Sequence, residues 1–148
     1  MVDSNDVNDP FDLERFVRAQ KGDYERALAE IRGGRKRSHW MWYIFPQIEG
    51  LGSSAMSQRY AIRSRAEASA FIDHTLLGLR LLECVEALLN LEDRSVEQIF
   101  GFPDDRKLRS CATLFAMDSP PESVFHRLLE KYFQGERDSM TLRLLAEE

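Results

Sequence analysis

A leucine-rich segment at residues 75–91 places the strongest constraint on how this chain can fold. Eight of its positions are leucine: Leu76, Leu77, Leu79, Leu81, Leu82, Leu88, Leu89 and Leu91. Together with Val85 and Ala87, they make an α-helix apolar over more than half of its circumference. A helix of that kind is enclosed by other elements of the fold. The segment therefore predicts the central helix of an all-α domain.

Start and stop signals divide the rest of the chain into further short helices. Capping residues followed by apolar residues at helical spacing predict helix starts near Asp9, Asp23, Ser64, Ser95, Asp104, Pro121 and Asp138. Glycines predict helix ends at residues 33–34, 101 and 135. No segment shows the sustained alternation of a strand. We therefore expect a single compact domain of seven or eight short helices over residues 9–148, preceded by a disordered or frayed tail at residues 1–8.

Composition limits the partners and the compartment of the chain. It carries a net charge of -5 and a pI of about 5.3, so broad, charge-driven binding to nucleic acid or to an anionic membrane is not expected. Two cysteines, Cys84 and Cys111, are too few for a secreted disulfide scaffold and are interpreted as buried thiols. The sequence has neither the features of a signal peptide nor an apolar run of the roughly 20 residues that span a bilayer. We expect a cytoplasmic protein without a membrane partner.

The sequence contains no standard catalytic or cofactor-binding signature. A phosphate loop, a dinucleotide-binding glycine motif, a His-Glu-x-x-His zinc motif and a nucleophile elbow are all missing. His39, His74 and His126 are far apart in the sequence, whereas a metal needs convergent ligands. We therefore predict neither a cofactor nor a metal, and look for a site in the unusual segments of the chain.

The most unusual segment is an aromatic run at residues 39–46, which follows the basic residues 35–37. It fits either a short buried helix or an extended segment, because periodicity does not decide for so short a run. Its large rings either fill the core or line a pocket for a planar ligand such as a nucleobase. The candidate ligand-binding residues of this segment and its flanks are Lys36, His39, Trp40, Trp42, Tyr43 and Gln47.

A glycine- and serine-rich stretch at residues 47–57 follows the aromatic run and predicts a loop. Free backbone N–H groups in such a loop can hold an anion. Ser53 and Ser57 either cap the following helix, which carries Tyr60, or bind a polar ligand through their hydroxyl groups. We include Ser53, Ser57 and Tyr60 among the candidate ligand-binding residues.

Residues 101–107 place two carboxylates and two cations at the start of a helix. Asp104 either interacts with the positive end of the helix dipole or faces a pocket as a general base or hydroxyl acceptor. Lys107, one turn further on, is then a ligand-binding residue. His74 is either a cap of the leucine-rich helix or an acid–base group. Asp104 and His74 are the candidate catalytic residues.

Five stretches of the chain together form a recognisable set of motifs: residues 38–47 (SHWMWYIFPQ), 50–60 (GLGSSAMSQRY), 74–81 (HTLLGLRL), 99–104 (IFGFPD) and 107–115 (KLRSCATLF). They resemble the signature of a bacterial family known as a domain of unknown function, DUF1810, whose members are sometimes labelled calpastatin-like. The resemblance runs from about Asp9 to Leu145 and implies a helical fold.

A looser likeness is carried by residues 16–21 (FVRAQK) and 131–134 (KYFQ). These stretches resemble motifs of the helical NADAR superfamily, whose members handle ADP-ribose derivatives, some by cleaving an N-glycosidic bond. The likeness implies a nucleotide-like ligand and, more remotely, an N-glycosidase-like hydrolase.

Two functional hypotheses follow from these features. In the first, the chain binds a small nucleotide-like or ADP-ribose-like ligand, and an extension of this hypothesis is that it also hydrolyses the ligand. The aromatic run frames the base, Lys36 and the serines hold phosphate or hydroxyl groups, and Asp104 or His74 activates water. In the second, the chain is a non-catalytic helical module that binds another protein or forms a homodimer, with the aromatic run as its anchor.

Overall fold

The computed structural model describes residues 9–148, and the tail predicted for residues 1–8 lies outside this described part. The described part contains ten α-helices: α1 Glu14–Gln20, α2 Tyr24–Arg32, α3 Met41–Ile44, α4 Ala55–Arg59, α5 Arg65–Asp73, α6 Thr75–Asn90, α7 Val96–Phe100, α8 Asp104–Ala116, α9 Val124–Phe133 and α10 Ser139–Ala146. Within residues 9–148 the only β-type pairing is an isolated parallel bridge between Ile48 and Ile62. The predicted all-α, single-domain architecture is confirmed.

The leucine-rich helix α6 lies at the centre of this architecture, as predicted. It packs against α1, α2, α5 and α9. One buried position on it, Gly78, permits a very close approach of the chain. A Cβ atom there would lie 2.0 Å from the carbonyl oxygen of Ile72 at the end of α5. Leu79 faces outward and is 59% exposed, so the apolar surface of α6 is not completely covered.

Helix α8 forms the second support of the fold and packs against α5, α7, α9 and α10. Four phenylalanine rings connect it to the rest of the core. Phe71 lies 5.0 Å from Phe16 and 5.6 Å from Phe115, and Phe115 lies 5.5 Å from Phe125, all measured between ring centroids. Rings at such spacings contribute attraction beyond the burial of their surface. The series links α1, α5, α8 and α9.

The structure has more helices than the seven or eight predicted, because two single-turn helices, α3 and α4, form in the aromatic run and in the predicted loop. The first helix also starts later than expected. Asp9 does cap backbone N–H groups, those of Leu13 and Glu14, but Asp12 adopts a left-handed φ of 52° and delays the helix until Glu14. No helix among residues 9–148 is long and apolar enough to cross a membrane.

Candidate functional site

A small cavity of about 130 Å³ lies where the aromatic run, the glycine–serine loop and the start of α8 meet. Its wall contains five residues predicted as ligand-binding: Trp42, Gln47, Ser57, Tyr60 and Lys107. The rest of the wall comes from Ile48, Glu49, Gly50, Leu51, Gly52, Gln58 and Ala61. We call this feature the Trp42 cavity.

The single helical turn of α3 directs Trp42 to the cavity. Met41, Tyr43 and Ile44 of this turn are buried in the core, whereas Trp42 is only half-buried. The Lys107 ammonium lies over the indole ring of Trp42, 5.3 Å from its centroid. A cation in this position is attracted by the negative face of the ring. One wall of the cavity therefore pairs an aromatic face with a positive charge.

Asp104 holds Lys107 in place from outside the cavity. One of its carboxylate oxygens, Oδ1, lies 3.5 Å from Nζ of Lys107, and the other, Oδ2, lies 2.9 Å from Nζ of Lys36. Lys36 also donates a hydrogen bond to the Ser38 carbonyl at 2.6 Å and lies over the ring of Trp40. The predicted roles of Asp104 and Lys36 therefore change. Both have charged partners within the protein, and neither lines the cavity.

Ser57 presents its hydroxyl group to the cavity, and Ser54, not Ser53 or Ser57, caps helix α4. The Ser54 hydroxyl oxygen accepts a hydrogen bond from the Ser57 N–H at 3.1 Å, and the Ser54 hydroxyl donates to the Ser57 hydroxyl oxygen at 2.8 Å. Ser53 is exposed and lies outside the cavity wall.

Gly52 allows the loop to contact Ser57 closely. A Cβ atom at this position would lie 2.6 Å from the Ser57 hydroxyl oxygen and 2.8 Å from its Cβ. These distances are shorter than van der Waals contact, so any larger residue at position 52 displaces the loop or Ser57. The glycine thus fixes the width of the cavity on this side.

Tyr60 closes the floor of the cavity and is positioned by a buried arginine. The Arg15 guanidinium donates to the carbonyl oxygens of Arg59 at 2.9 Å and Ala61 at 2.8 Å, on either side of Tyr60. It also pairs with the Glu67 carboxylate at 2.7 Å, where both side chains are almost completely buried. No pattern in the sequence marks Arg15 or its pairing with Glu67 for this role.

Tyr43 lies beneath Tyr60 rather than in the cavity. Its ring packs edge-on against Tyr60 with 5.3 Å between centroids, and its hydroxyl donates to the Asp23 carboxylate. Burial, with a further contribution from this hydrogen bond, raises the pKa of Tyr43 above its ordinary value of 10.0. Because Asp23 accepts this bond, it does not cap α2 as predicted.

Trp40 is a core residue, which corrects its prediction as a ligand-binding residue. It is 1% exposed and packs against Phe45 and Phe100. Its indole N–H donates to the Glu30 carboxylate at 2.9 Å. The ring is therefore out of reach of any ligand in the Trp42 cavity.

Glu30 organises the segment that leads into α3. Besides Trp40, it accepts hydrogen bonds from the Arg37 N–H at 2.7 Å, the Ser38 N–H at 2.9 Å and the Ser38 hydroxyl at 2.6 Å. Desolvation by itself raises the pKa of Glu30, but these hydrogen bonds outweigh it and lower the pKa from 4.5 to about 2. No pattern in the sequence marks Glu30 for this role.

The two histidines predicted as site residues, His39 and His74, also lie away from the cavity. His74 caps α6, because its Nδ1 atom accepts hydrogen bonds from the N–H groups of Leu76 and Leu77, each at 3.2 Å. His39 is exposed, and neither histidine belongs to the cavity wall. With Asp104 outside the wall as well, neither predicted catalytic residue faces the Trp42 cavity.

Comparison with known proteins identifies the family. The conserved hypothetical protein Rv1873 from Mycobacterium tuberculosis, known from a crystal structure, is 51% identical. The alignment covers 93% of this chain and 99% of that one, with a TM-score of 0.91. No curated protein matches. The family model described as a protein of unknown function (DUF1810) matches residues 10–145, nearly the whole chain. This protein therefore belongs to the DUF1810 family.

Proposed function

We propose that this protein binds a small nucleotide-like ligand in the Trp42 cavity. The observation that carries the proposal is the meeting of Trp42, Gln47, Ser57, Tyr60 and Lys107 around one cavity, although they lie in separate stretches of the sequence. An aromatic face, an ammonium group, a hydroxyl group and an amide suit a ligand that combines a planar ring with polar or anionic groups. Binding pockets typically place a few polar groups on such an apolar wall.

Core packing alone does not account for the cavity wall. Trp40 and Phe45 are residues of the aromatic run that do serve core packing, since both are almost completely buried. Trp42 is instead half-buried beside a lysine ammonium, and the wall around it includes the polar residues Gln47 and Ser57. Partly exposed aromatic rings next to convergent polar groups are typical of binding sites rather than of protein cores.

The size of the cavity limits how much of a ligand it encloses. Pockets for drug-sized ligands have volumes of about 300–1,000 Å³. The Trp42 cavity has about 130 Å³, so it surrounds one chemical group of a nucleotide-like ligand. The remainder of the ligand then lies over the rim, which the exposed residues of the glycine–serine loop form.

The proposal concerns binding rather than hydrolysis. A general base needs a free acceptor atom within hydrogen-bond reach of the attacking water. The Asp104 carboxylate already contacts two ammonium groups, and the Nδ1 atom of His74 accepts two backbone N–H groups. Both groups are engaged by partners within the protein and lie outside the cavity wall, so neither is placed to activate water at a ligand in the cavity.

The proposal is tested by titrating AMP, ADP-ribose and NAD into the purified full-length chain. Binding is followed by isothermal titration calorimetry and by tryptophan fluorescence. We expect at least one ligand to bind saturably and to change the emission of Trp42. Stacking of a base on an aromatic ring contributes about 1–3 kcal/mol, so Trp42→Ala should weaken binding by about 5- to 150-fold.

Phe102→Ala provides the matched control. Phe102 is an aromatic residue, 73% exposed, that lies outside the cavity wall, so its removal should leave affinity unchanged. The proposal is wrong if none of the three ligands binds the wild-type chain, or if Trp42→Ala binds as well as the wild type does. A change in oligomeric state of Trp42→Ala, seen by size-exclusion chromatography without ligand binding, would instead favour the protein-interaction hypothesis.

A further inference from the structure

The wall of the Trp42 cavity includes several groups that can donate hydrogen bonds. Among them are the Lys107 ammonium and the Ser57 hydroxyl. Residues 50–52 also belong to the wall, and none of their backbone N–H groups donates a backbone hydrogen bond within residues 9–148. Convergent donors of this kind are what an anionic group requires.

The charges around the cavity compensate the positive charge of Lys107 only in part. Asp104 is the nearest carboxylate, but it lies closer to Lys36, at 2.9 Å, than to Lys107, at 3.5 Å. The group of Lys36, Asp104 and Lys107 therefore has two cations for one anion, and the cation left over faces the cavity. The carboxylate in the wall, Glu49, is exposed and lies 3.9 Å from Arg63, which offsets its charge.

The volume of the cavity agrees with a compact anionic group. The cavity has a volume of about 130 Å³, well below the roughly 300–1,000 Å³ of pockets that enclose a drug-sized ligand. One phosphate or carboxylate group fits in that space, whereas a base together with its ribose does not. The size and the donor set thus favour the same part of the ligand.

We infer that the Trp42 cavity binds the phosphate group of a nucleotide-like ligand, with Lys107 as its charge partner and Ser57 as a hydroxyl donor. This inference rests on the proposed function and adds which part of the ligand enters the cavity. Asp104 acts as a positioning residue that keeps the Lys107 ammonium over Trp42. Lys36 offsets the charge of Asp104, so that the charge of Lys107 remains available to the ligand.

The inference is tested by comparing AMP with adenosine, which differ only in the phosphate group. Calorimetric titrations at equal, low ionic strength should give AMP an affinity about 10- to 100-fold higher than that of adenosine, as expected for charge-assisted hydrogen bonds. Lys107→Met should reduce this ratio to about 1–3, Ser57→Ala should reduce it several-fold, and Lys107→Arg should keep most of it. Added salt should weaken AMP binding more than adenosine binding.

Arg106→Met is the matched control, because Arg106 precedes Lys107 on α8 but lies over the ring of Phe102 and outside the cavity wall. It should preserve the AMP-to-adenosine ratio. The inference is overturned if AMP and adenosine bind equally well to the wild type, or if Lys107→Met keeps the ratio. Circular dichroism of each variant verifies folding, and Lys107→Arg and Ser57→Ala decide the question if Lys107→Met does not fold.

Inorganic phosphate separates a failure of this inference from a failure of the proposed function. If neither nucleotides nor adenosine bind but phosphate perturbs Trp42 fluorescence in the wild type and not in Lys107→Met, the anion site stands and the nucleotide-like ligand is wrong. If adenosine binds through Trp42 without any contribution from Lys107, the proposed function stands and the anion assignment is wrong. If phosphate, nucleotides and adenosine all fail to bind, both are wrong.

Discussion

Replacing Glu30 should destabilise the protein more than replacing any other surface-accessible carboxylate residue. No recognisable sequence motif includes Glu30. Its carboxylate accepts hydrogen bonds from the backbone of Arg37, from Ser38 twice and from the buried indole N–H of Trp40. Glu30→Ala removes all of them and leaves the Trp40 donor without a partner inside the core. The segment that leads into α3 then loses its main attachment to α2.

The expected cost follows from these contacts. A hydrogen bond to a charged group contributes about 1.5–3 kcal/mol, and a buried donor without a partner costs about 1–3 kcal/mol. Because bonds to one carboxylate are not additive and two of the donors regain contact with water, we expect Glu30→Ala to lower the free energy of unfolding by about 3 kcal/mol. For a chain of this length, that corresponds to a Tm lower by about 6–12 °C.

The same carboxylate predicts a pH dependence with a defined direction. The pKa of Glu30 is about 2 in the folded protein and 4.5 ordinarily, so its stabilisation is complete above about pH 5 and is lost as the pH falls towards 2. Converted at about 1.4 kcal/mol per pKa unit and reduced for the screening of a partly exposed group, the effect is about 1–2 kcal/mol. Glu30→Gln keeps the shape of the side chain and removes this dependence.

The measurement is guanidinium denaturation of the wild type, Glu30→Ala and Glu30→Gln, followed by circular dichroism between pH 7 and pH 3. The stability difference between wild type and Glu30→Gln should shrink by about 1 kcal/mol over that interval, because part of the effect is lost only below pH 3. Glu25→Gln, on the exposed side of the same helix, serves as the control and should change stability little at either pH. A constant difference across the pH range, or a cost of Glu30→Ala below about 1 kcal/mol, would refute this account of Glu30.

Three further predictions concern the core and the cavity wall. Arg15→Met leaves the Glu67 carboxylate, 2% exposed, without its partner and should cost about 3–5 kcal/mol in urea denaturation. Arg26→Met, in an exposed pair with Asp23, should cost less than about 1 kcal/mol. Burial raises the pKa of Cys84 to about 12 and that of Cys111 well above 9.0, so neither thiol should react with a thiol reagent at pH 8 until denaturant is added. Gly52→Ala should weaken ligand binding with little change in Tm, because the new Cβ displaces Ser57, whereas Gly33→Ala, with no neighbour closer than 3.4 Å, should leave binding unchanged.

Local sequence signals account for most of the fold. Helix α6 follows from its leucine content, and the side chains of Ser95 and Asp138 cap α7 and α10, as their capping patterns predict. The departures occur where a tertiary contact competes with a local one. Asp23 lies at the predicted N-cap, but its carboxylate accepts from Tyr43, which is 20 positions away in the sequence. A local sequence pattern indicates the cap, but it carries no information about a hydrogen-bond partner that is distant in the sequence.

The candidate site, including the residues that support the cavity wall, is only partly predictable from the sequence for a related reason. Trp42, Ser57 and Lys107 belong to unusual local patterns, so their residue types and neighbours attract attention. Arg15 and Glu30 belong to ordinary amphipathic helices, and they matter only because folding brings distant backbone groups into contact with their charges. The sequence around a charged residue does not indicate whether folding supplies it with the hydrogen-bond partners that its burial requires.

The aromatic run shows how a single conformational choice decides which residues can reach a ligand. In an extended segment, residues two apart lie on the same face, so Trp40 and Trp42 would both point either into the core or into the cavity. In a helical turn, residues two apart lie about 200° apart around the axis. Trp40, the N-cap of α3, packs into the core against Phe45 and Phe100, whereas Trp42, inside the helical turn, lies beside Lys107 in the cavity wall. The two tryptophans therefore serve different purposes. Loss of Trp40 should be seen first in stability, and loss of Trp42 first in binding.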